Sequence, residues 1–222
     1  MRSAAAFDER AAAYDGWYDS PMGAALFQAE LGCLRRLLPD FSGRWLEAGL
    51  GTGRFAQALG IGLGVDPAPH MLEIARSRGI CVLAAQGEHL PFAGACMDGV
   101  LLTLTLCFFD DPAGALKECA RVLRTGGNLV MGIVAADSPW GRRYSWDGQC
   151  GHPIYACASF YTAAEAADIA EKAGFCRAQT CSALFAGPES PPEKFGDSAA
   201  GLVPEAGFVG MRFFLDSRPG LG

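Results

Sequence analysis

The chain has 222 residues, of which 50% are hydrophobic and 19% are charged, a balance typical of a single soluble domain with a large core. Its formal net charge is −6 and no basic cluster occurs, so the composition argues against a nucleic-acid partner. No apolar run reaches the ~18 to 20 residues that cross a bilayer, and the first residues lack the apolar segment of a signal peptide. We therefore expect a cytoplasmic monomer or homodimer with no membrane partner.

The N-terminal segment predicts a helix with an aromatic stripe. Phe7, Tyr14, Trp17 and Tyr18 recur at helical spacing, which is typical of the packing face of an amphipathic helix. The same face could instead lie against a ligand, since an aromatic ring or a hydroxyl group can stabilise a bound cation. Under that second interpretation Tyr14 and Tyr18 are the ligand contacts.

A strand, a tight turn and a helix start follow at residues 44–59. The apolar strand 44–48 contains Glu47. Three alternate glycines come next: Gly49, Gly51 and Gly53. Glycine tolerates positive φ and has no Cβ, so a ligand can lie against bare backbone near the amides of the helix N-terminus. A dinucleotide fingerprint would need a further glycine where Arg54 stands, so the acid at the strand end is placed instead to pair with a ligand ammonium group.

Strands and helices then alternate, as a parallel sheet requires. Strand 61–65 ends at Asp66, whose carboxylate can accept hydrogen bonds from two ribose hydroxyls. An acid after each of the first two strands predicts a ligand with an amino-acid end and a ribose. The remaining elements of this half are helix 68–78, strand 80–84, strand 97–104, helix 112–123 with Asp111 as its N-cap, and strand 127–134.

The chain after residue 135 is less regular, and we expect an insertion over the C-terminal edge of the sheet, where ligands of open α/β sheets bind. Thr162 and Glu165 predict a capping box for a helix that ends at residues 173–174. Two last strands are expected at residues 176–185 and 208–215, with a long proline-containing loop between them.

These motifs resemble those of the class I S-adenosylmethionine-dependent methyltransferases, small-molecule type, similar to the enzymes of ubiquinone and menaquinone biosynthesis. Residues 47–53 are similar to the family's first motif, and Asp66 to its ribose-binding acid. Residues 66–76 resemble its D-x-S/P-x-x-M-L-x-x-A-R segment. Residues 86–92 resemble its adenine loop, although Gln86 stands where an aspartate is commonest.

Two further segments support the same resemblance. Residues 120–127 are similar to the family's R-V-L-R-P-G-G turn, and residues 7–18 to an opening helix that closes over the cofactor. The resemblance implies an α/β fold with a Rossmann-like seven-stranded, mostly parallel sheet, flanking helices and an antiparallel last strand. It divides the single domain 1–222 into three parts: a helical lid (1–40), a cofactor-binding core (44–134) and an acceptor-shaping part with an insertion after the fifth strand (135–222).

The implied cofactor is S-adenosyl-L-methionine. Its binding residues, assigned from the strand ends and the resemblance, are Tyr14, Tyr18, Glu47, Gly49, Gly51, Gly53, Asp66, Pro67, Met71, Gln86, Gly87, Glu88 and Thr103. Segment 103–109 follows the fourth strand and should border the methyl group. Because positioning and desolvation can accelerate methyl transfer, no catalytic residue is assigned.

The acceptor is expected to be a small, partly apolar molecule, because the insertion is rich in aromatic residues, among them Trp146 and Tyr155. Its predicted pocket consists of Cys107, Trp140, Tyr144, His152 and Tyr161. Cys107 is interpreted as a wall of that pocket rather than as a nucleophile. His152 is the histidine placed to accept a proton, although a histidine in a loop is more often structural.

The nine cysteines contain no C-x-x-C pair, so no metal site is predicted and most should be buried small hydrophobes. Methylation of arsenite, which uses thiols, is the alternative role for them. Two other functions remain open. A protein that binds S-adenosylmethionine and only regulates a partner would share every cofactor motif. A nicotinamide-dependent oxidoreductase would share the sheet and the ribose acid but would need a glycine at Arg54.

Overall fold

The computed structural model describes residues 2–38, 43–196 and 198–216. Residues 1 and 39–40 of the predicted lid, and residues 217–222 of the predicted domain, lie outside these ranges. The segment predicted to be a helical lid, referred to below as the lid, contains three helices: α1 (Arg2–Asp8), α2 (Ala11–Trp17) and α3 (Pro21–Leu37). The helix predicted over the aromatic stripe is interrupted at residues 9–10. α3 begins at Pro21 because Ser20 Oγ accepts a hydrogen bond from the Gly23 N–H at 3.0 Å, which satisfies one of the helix's first amides.

The elements that follow alternate as expected. They are β1 (Trp45–Ala48), α4 (Arg54–Leu59), β2 (Leu63–Asp66), α5 (Pro69–Ser77), β3 (Cys81–Ala84), β4 (Met97–Thr103), α6 (Pro112–Val122), β5 (Leu123–Val134), α7 (Pro139–Gln149), α8 (Ala163–Lys172), β6 (Phe175–Ala183), β7 (Ala199–Ala200) and β8 (Phe208–Leu215). Short 3₁₀ turns lie at Leu106–Phe108, Tyr155–Cys157 and Pro192–Lys194.

Eight strands form one sheet in the order β3-β2-β1-β4-β5-β8-β6-β7. Neighbours from β3 to β5 are parallel, whereas β8 is antiparallel to both β5 and β6. The predicted Rossmann-like, mostly parallel α/β fold with an antiparallel last strand is therefore confirmed. The predicted number of seven strands is corrected to eight, because Ala199–Ala200 pairs with Cys181 and Ser182 within the segment predicted to be a long loop.

The central strands have apolar side chains on both faces, which places them between two helical layers. Leu102 and Met131 belong to a buried cluster with residues of α6 and α8. Leu101 and Val130, which point to the opposite face, belong to a second cluster with residues of α3, α4 and α5. The parallel strands are thus covered by helices on both faces, which fixes the positions of their C-terminal ends at one edge of the sheet.

The segment after β5 is more regular than expected. α7 begins where Ser138 Oγ accepts a hydrogen bond from the Gly141 N–H at 3.0 Å. The predicted capping box of α8 is confirmed: Thr162 Oγ1 accepts from the Glu165 N–H at 3.2 Å, and Glu165 Oε2 accepts from the Thr162 N–H at 2.9 Å. Within the described residues, no helix combines the length and apolarity needed to cross a membrane.

Candidate cofactor site and acceptor cavity

The turn between β1 and α4 has a backbone that requires glycine. Gly49, Gly51 and Gly53 have φ values of +74°, +54° and +78°, in the left-handed region. A Cβ on Gly49 or Gly53 would collide with Thr105 or Ile80, whereas a Cβ on Gly51 would enter open space. The turn is therefore packed closely from behind, and its front at Gly51 can receive a ligand.

Glu47 and Thr103 bring two unsatisfied polar atoms to the ends of the neighbouring strands β1 and β4. Glu47 is only 2% exposed, and among the described residues neither its Oε2 nor Thr103 Oγ1 has a hydrogen-bond partner. Burial raises the pKa of Glu47 to about 8. Both residues line a cavity of about 40 Å³ in front of the glycine turn. Because an unpartnered buried acid is costly, the pair is suited to a cationic ligand group that also donates hydrogen bonds.

Asp66 ends β2 and orders the glycine turn. Its Oδ2 accepts a hydrogen bond from the Gly51 N–H at 2.8 Å, and its Oδ1 accepts from the Ala68 N–H at 2.9 Å. Burial nevertheless raises the pKa of this carboxyl group. Each carboxylate oxygen can accept a second hydrogen bond, so Asp66 keeps the capacity to bind two ligand hydroxyls.

A cavity of about 70 Å³ lies beside Asp66. The predicted cofactor residues that line it with Asp66 are Tyr14, Gly49, Gly51, Pro67, Met71, Gly87 and Thr103. Gln86 and Glu88 are not among its lining residues: Gln86 is exposed, and Glu88 Oε1 accepts hydrogen bonds from the Asp110 and Asp111 N–H groups at 3.0 and 3.3 Å. Glu88 therefore fixes the start of α6, while its loop presents Gly87 to the cavity.

Helix α2 and the residue that follows it bring two tyrosines to the front of the glycine turn. The hydroxyl groups of Tyr14 and Tyr18 are 3.1 Å apart, within hydrogen-bond distance. Burial raises the pKa of both hydroxyls, so both remain protonated at neutral pH. Tyr14 lines both cavities described above, and Tyr18 lines the smaller one.

A set of ion pairs fastens α2 to the turn. Asp15 accepts hydrogen bonds from Arg54 Nε at 2.9 Å and from an Arg78 Nη at 2.9 Å. Burial alone would raise the pKa of Asp15, but these two guanidinium groups outweigh it and lower the pKa to about 2. A second Arg78 Nη donates to the Thr52 carbonyl within the turn at 2.8 Å. Arg54, which stands where a dinucleotide fingerprint has glycine, therefore holds the lid.

A larger cavity of about 310 Å³ lies among α2, α3, the segment after β4 and the insertion. Four of the predicted acceptor residues line it: Cys107, Tyr144, His152 and Tyr161. The rings of Tyr144 and Tyr155 are stacked with centroids 4.4 Å apart, and His152 is stacked on Tyr155 at the same distance. Burial raises the pKa of the Cys107 thiol to about 12, so it is a neutral wall at physiological pH.

Comparisons with known proteins identify the family. Residues 46–131 match the family described as a methyltransferase domain. A crystal structure of an S-adenosylmethionine-dependent methyltransferase from Thermotoga maritima superimposes with a TM-score of 0.85 and 36% sequence identity, over 96% of this chain and 99% of that one. The chain belongs to the S-adenosylmethionine-dependent methyltransferases.

Two uncharacterised relatives extend the same similarity. A protein of Methanocaldococcus jannaschii is 36% identical over 179 residues, which is 81% of this methyltransferase and 85% of the relative. A protein of Mycobacterium tuberculosis is 43% identical over 175 residues, which is 79% of this chain but 61% of the relative. This methyltransferase thus spans about three fifths of the length of its mycobacterial relative.

The structure places Trp140 differently from the sequence-based expectation for the methyltransferase's acceptor pocket. Its side chain is 4% exposed, its Nε1 donates to the Ala186 carbonyl at 2.8 Å, and its ring packs edge-on against Phe195. It is not among the residues that line the acceptor cavity. Trp140 lies one helical turn before Tyr144 on the same side of α7, and the two rings meet edge-on with centroids 5.9 Å apart. Trp140 therefore supports the cavity-lining Tyr144 from behind.

Sequence reasoning missed one polar residue of this cavity. Glu30 of α3 is 5% exposed and lines the cavity wall, and burial raises its pKa to about 8. Its signal in the sequence was a single acid on the buried face of a helix, between the buried residues Ala29 and Leu31. Acids are seldom fully buried without a partner, so Glu30 stands out once the structure shows its burial, which the sequence alone does not.

Proposed function

We propose that the protein transfers the methyl group of S-adenosylmethionine to a small-molecule acceptor bound in the 310 Å³ cavity. One observation carries this proposal: Tyr14 and Leu104 line that cavity and both of the smaller ones. A cofactor at the glycine turn and an acceptor in the large cavity would therefore meet at these two side chains. Such proximity is the main requirement of a methyl displacement.

The residues of the glycine turn fit the cofactor. S-adenosylmethionine, when bound, supplies an electrophilic methyl group. In our proposal Glu47 pairs with the ammonium group through its unpartnered Oε2, and Asp66 accepts hydrogen bonds from the ribose hydroxyls. Gly51 leaves the space through which the ligand approaches, since a side chain there would meet no protein atom. Tyr14 and Tyr18 close the site from the lid.

The adenine end is assigned to the cavity beside Asp66. Pro67 and Met71 line that cavity from the start of α5, and Gly87 lines it from the loop after β3. A side chain at Gly87 would collide with the Phe109 ring, so glycine is needed to keep the loop against that ring. These residues support a flat, apolar ligand group between the loop and α5.

The acceptor side fits a small molecule held away from water. Its volume of about 310 Å³ is near the lower end of the range for small-molecule sites. Aromatic walls exclude water from the reacting atoms, which favours a displacement step without a dedicated base. Leu104, at the junction, has a φ of +56°, an uncommon value for a residue other than glycine, as is often found at functional sites.

Calorimetry with the whole chain tests the cofactor assignment. We expect heat from S-adenosylmethionine and S-adenosylhomocysteine and none from NAD. NAD binding without binding of either sulfur nucleoside would reject the proposed cofactor.

Turnover is then measured as S-adenosylhomocysteine release with a panel of small amines, thiols and phenols. Histamine belongs in the panel because the Thermotoga maritima relative is described as a possible histamine N-methyltransferase. Cofactor binding without turnover of any panel member would favour the regulatory alternative over an enzyme of small-molecule methylation.

A further inference from the structure

The acceptor cavity contains one acid. Among the described residues that line it, Glu30 alone carries a carboxylate, and its side chain is almost fully buried at 5% exposure. No hydrogen bond or ion pair within the described part of the chain holds this carboxyl group, and burial is the sole cause of its raised pKa. Leaving a buried acid without a partner costs free energy, which a suitable ligand would recover.

The rings around Glu30 are of the kind that stabilise a cation. Four tyrosines line the cavity together with Glu30 and Trp17: Tyr14, Tyr18, Tyr144 and Tyr155. Tyrosine and tryptophan faces attract ammonium and other organic cations.

The cationic side chain at this cavity has other partners. Arg10 lines it, but one of its Nη atoms donates to Glu9 at 3.1 Å and to the Ala6 carbonyl at 3.5 Å, and its side chain is 41% exposed. His152 also lines the cavity, and its Nδ1 accepts a hydrogen bond from the Tyr155 N–H at 3.3 Å. Neither residue is bonded to Glu30, so its carboxyl group is available to a ligand.

We propose that Glu30 binds a basic nitrogen of the acceptor, which makes the substrate class small amines with an apolar or aromatic body. The inference rests on the proposed function, because it names the acceptor class of the same cavity. The proton of Glu30 passes to a neutral amine, or is released when the ammonium form binds. The resulting ammonium–carboxylate pair is held in the cavity, and the body of the molecule packs between the aromatic walls. A neutral isostere of such an amine could at most form an uncharged hydrogen bond with Glu30, and this lost charge is the physical basis of the selectivity.

Calorimetric titration with three matched probes tests this assignment: 2-phenylethylamine, its neutral isostere 2-phenylethanol, and the anion 3-phenylpropanoate. Each is titrated into the whole chain with and without saturating S-adenosylhomocysteine. We expect the amine to bind about 10- to 100-fold more tightly than the alcohol, the range of a hydrogen bond to a charged group. The anion should bind most weakly, because it would lie beside Glu30.

Two variants of Glu30 test whether this residue causes the preference for the amine over the alcohol. In Glu30→Gln the shape is kept and the charge is lost, so the amine should lose its advantage over the alcohol while affinity for S-adenosylhomocysteine stays unchanged. Glu30→Asp keeps the charge on a shorter side chain and should retain part of the preference. Glu193→Gln removes an exposed acid outside the cavity and should behave as the unmodified protein.

The outcomes separate this inference from the proposed function. Equal binding of amine and alcohol, an amine preference that survives in Glu30→Gln, or no amine binding at all would overturn the role of Glu30. Failure to bind S-adenosylhomocysteine, or to methylate any acceptor, would overturn the proposed function, and the amine preference measured without cofactor would still decide the role of Glu30.

Discussion

The two regions that we assign to the cofactor and to the acceptor, called here the cofactor side and the acceptor side, are built in different ways. The cofactor side comes from contiguous motifs, in which a glycine turn follows β1 and Asp66 bonds directly to the backbone of Gly51. The acceptor cavity is assembled from α2, α3, the segment after β4 and the insertion after β5, which lie far apart in sequence. The first side is specified by local backbone geometry, and the second by tertiary packing.

The two sides nevertheless have one structural feature in common. Each has a buried acid without a protein ion pair, Glu47 at the glycine turn and Glu30 in the cavity, and burial raises the pKa of each to about 8. Asp15, in contrast, is bonded to two arginines and belongs to the lid that joins the two sides. In our proposal the two acids without an ion pair, Glu47 and Glu30, are ligand positions, whereas Asp15 with its two arginines holds the framework.

The largest effect should come from Trp140→Ala. Trp140 is buried behind the acceptor cavity, so truncation leaves a large void and an unpaired Ala186 carbonyl. We expect the free energy of unfolding, measured by urea denaturation, to fall by about 3 to 5 kcal/mol. Trp146→Ala is the matched control, because Trp146 is 63% exposed and its loss should change stability little. If Trp140→Ala has normal stability but altered acceptor binding, Trp140 contributes to the acceptor pocket as the sequence predicted.

The sequence predicts the cofactor side well because its signals are local. Three alternate glycines after an acidic strand end specify a turn that only glycine can form, and Thr162 with Glu165 specifies a helix start. The acceptor side is predicted less well, because the contacts that build it are not local in sequence. An aromatic residue in an insertion shows that something will be buried. Trp140 and Tyr144 lie one turn apart on α7 with their rings in contact, and only tertiary packing decides which of the two reaches the cavity.

Glu30 is a cavity residue that sequence reasoning does not identify, again because its position depends on tertiary packing. On α3 it has the spacing of a core residue, and no neighbouring motif distinguishes it from an acid at a helix surface. Its position at the cavity depends on how α3 packs across the sheet against β6 and β8, more than 140 residues away in the chain. The burial of one acid is therefore a tertiary fact rather than a sequence motif.

The second prediction concerns the pH dependence of the stability of the ligand-free protein. The pKa values of Glu47 and Glu30 are raised above that of an unfolded glutamate, so the folded state favours their protonated forms. Stability should be greatest below pH ~4.5 for these two groups and should decline by several kcal/mol as the pH rises to about 8. Thermal unfolding between pH 4.5 and 8.5 measures the decline.

The Glu47→Gln variant sharpens that experiment. Glutamine does not titrate, so the variant should lose part of the decline and be as stable as the unmodified protein, or more so, at pH 8. Glu193→Gln again serves as the exposed control. An unchanged pH profile in Glu47→Gln would mean that this acid is ionised and solvated in the ligand-free protein.

The Asp66→Ala variant tests the cofactor side. It should weaken S-adenosylhomocysteine binding by ~1.5 to 3 kcal/mol, because the ribose hydroxyls lose charge-assisted bonds and the Gly51 N–H loses its acceptor. Asp66→Asn keeps one amide oxygen for the turn and should lose less affinity. Calorimetry measures both values, and a well-folded Asp66→Ala protein with an unaltered dissociation constant would place the ribose elsewhere.

The smallest effect is expected at the lid, where the two sides meet. Asp15→Asn leaves Arg54 and Arg78 facing each other without the charge that separates them, so α2 should detach more often from the glycine turn. Since α2 and the residue that follows it carry Tyr14 and Tyr18, S-adenosylhomocysteine affinity should fall by about 1 to 2 kcal/mol, and amide hydrogen exchange in α2 should accelerate.

Asp19→Asn is the matched control for the lid, because Asp19 contacts the same Arg54 at 3.0 Å but is 70% exposed. Its loss should change affinity much less than the loss of Asp15. The pH dependence has the opposite sign to that of the two glutamates: the pKa of Asp15 is lowered to about 2, so its contribution to stability is present above pH ~3.8 and disappears as the pH falls towards 2. Equal behaviour of the two variants would show that the arginines only pair with surface acids, and that the lid is held to the cofactor side by its aromatic contacts alone.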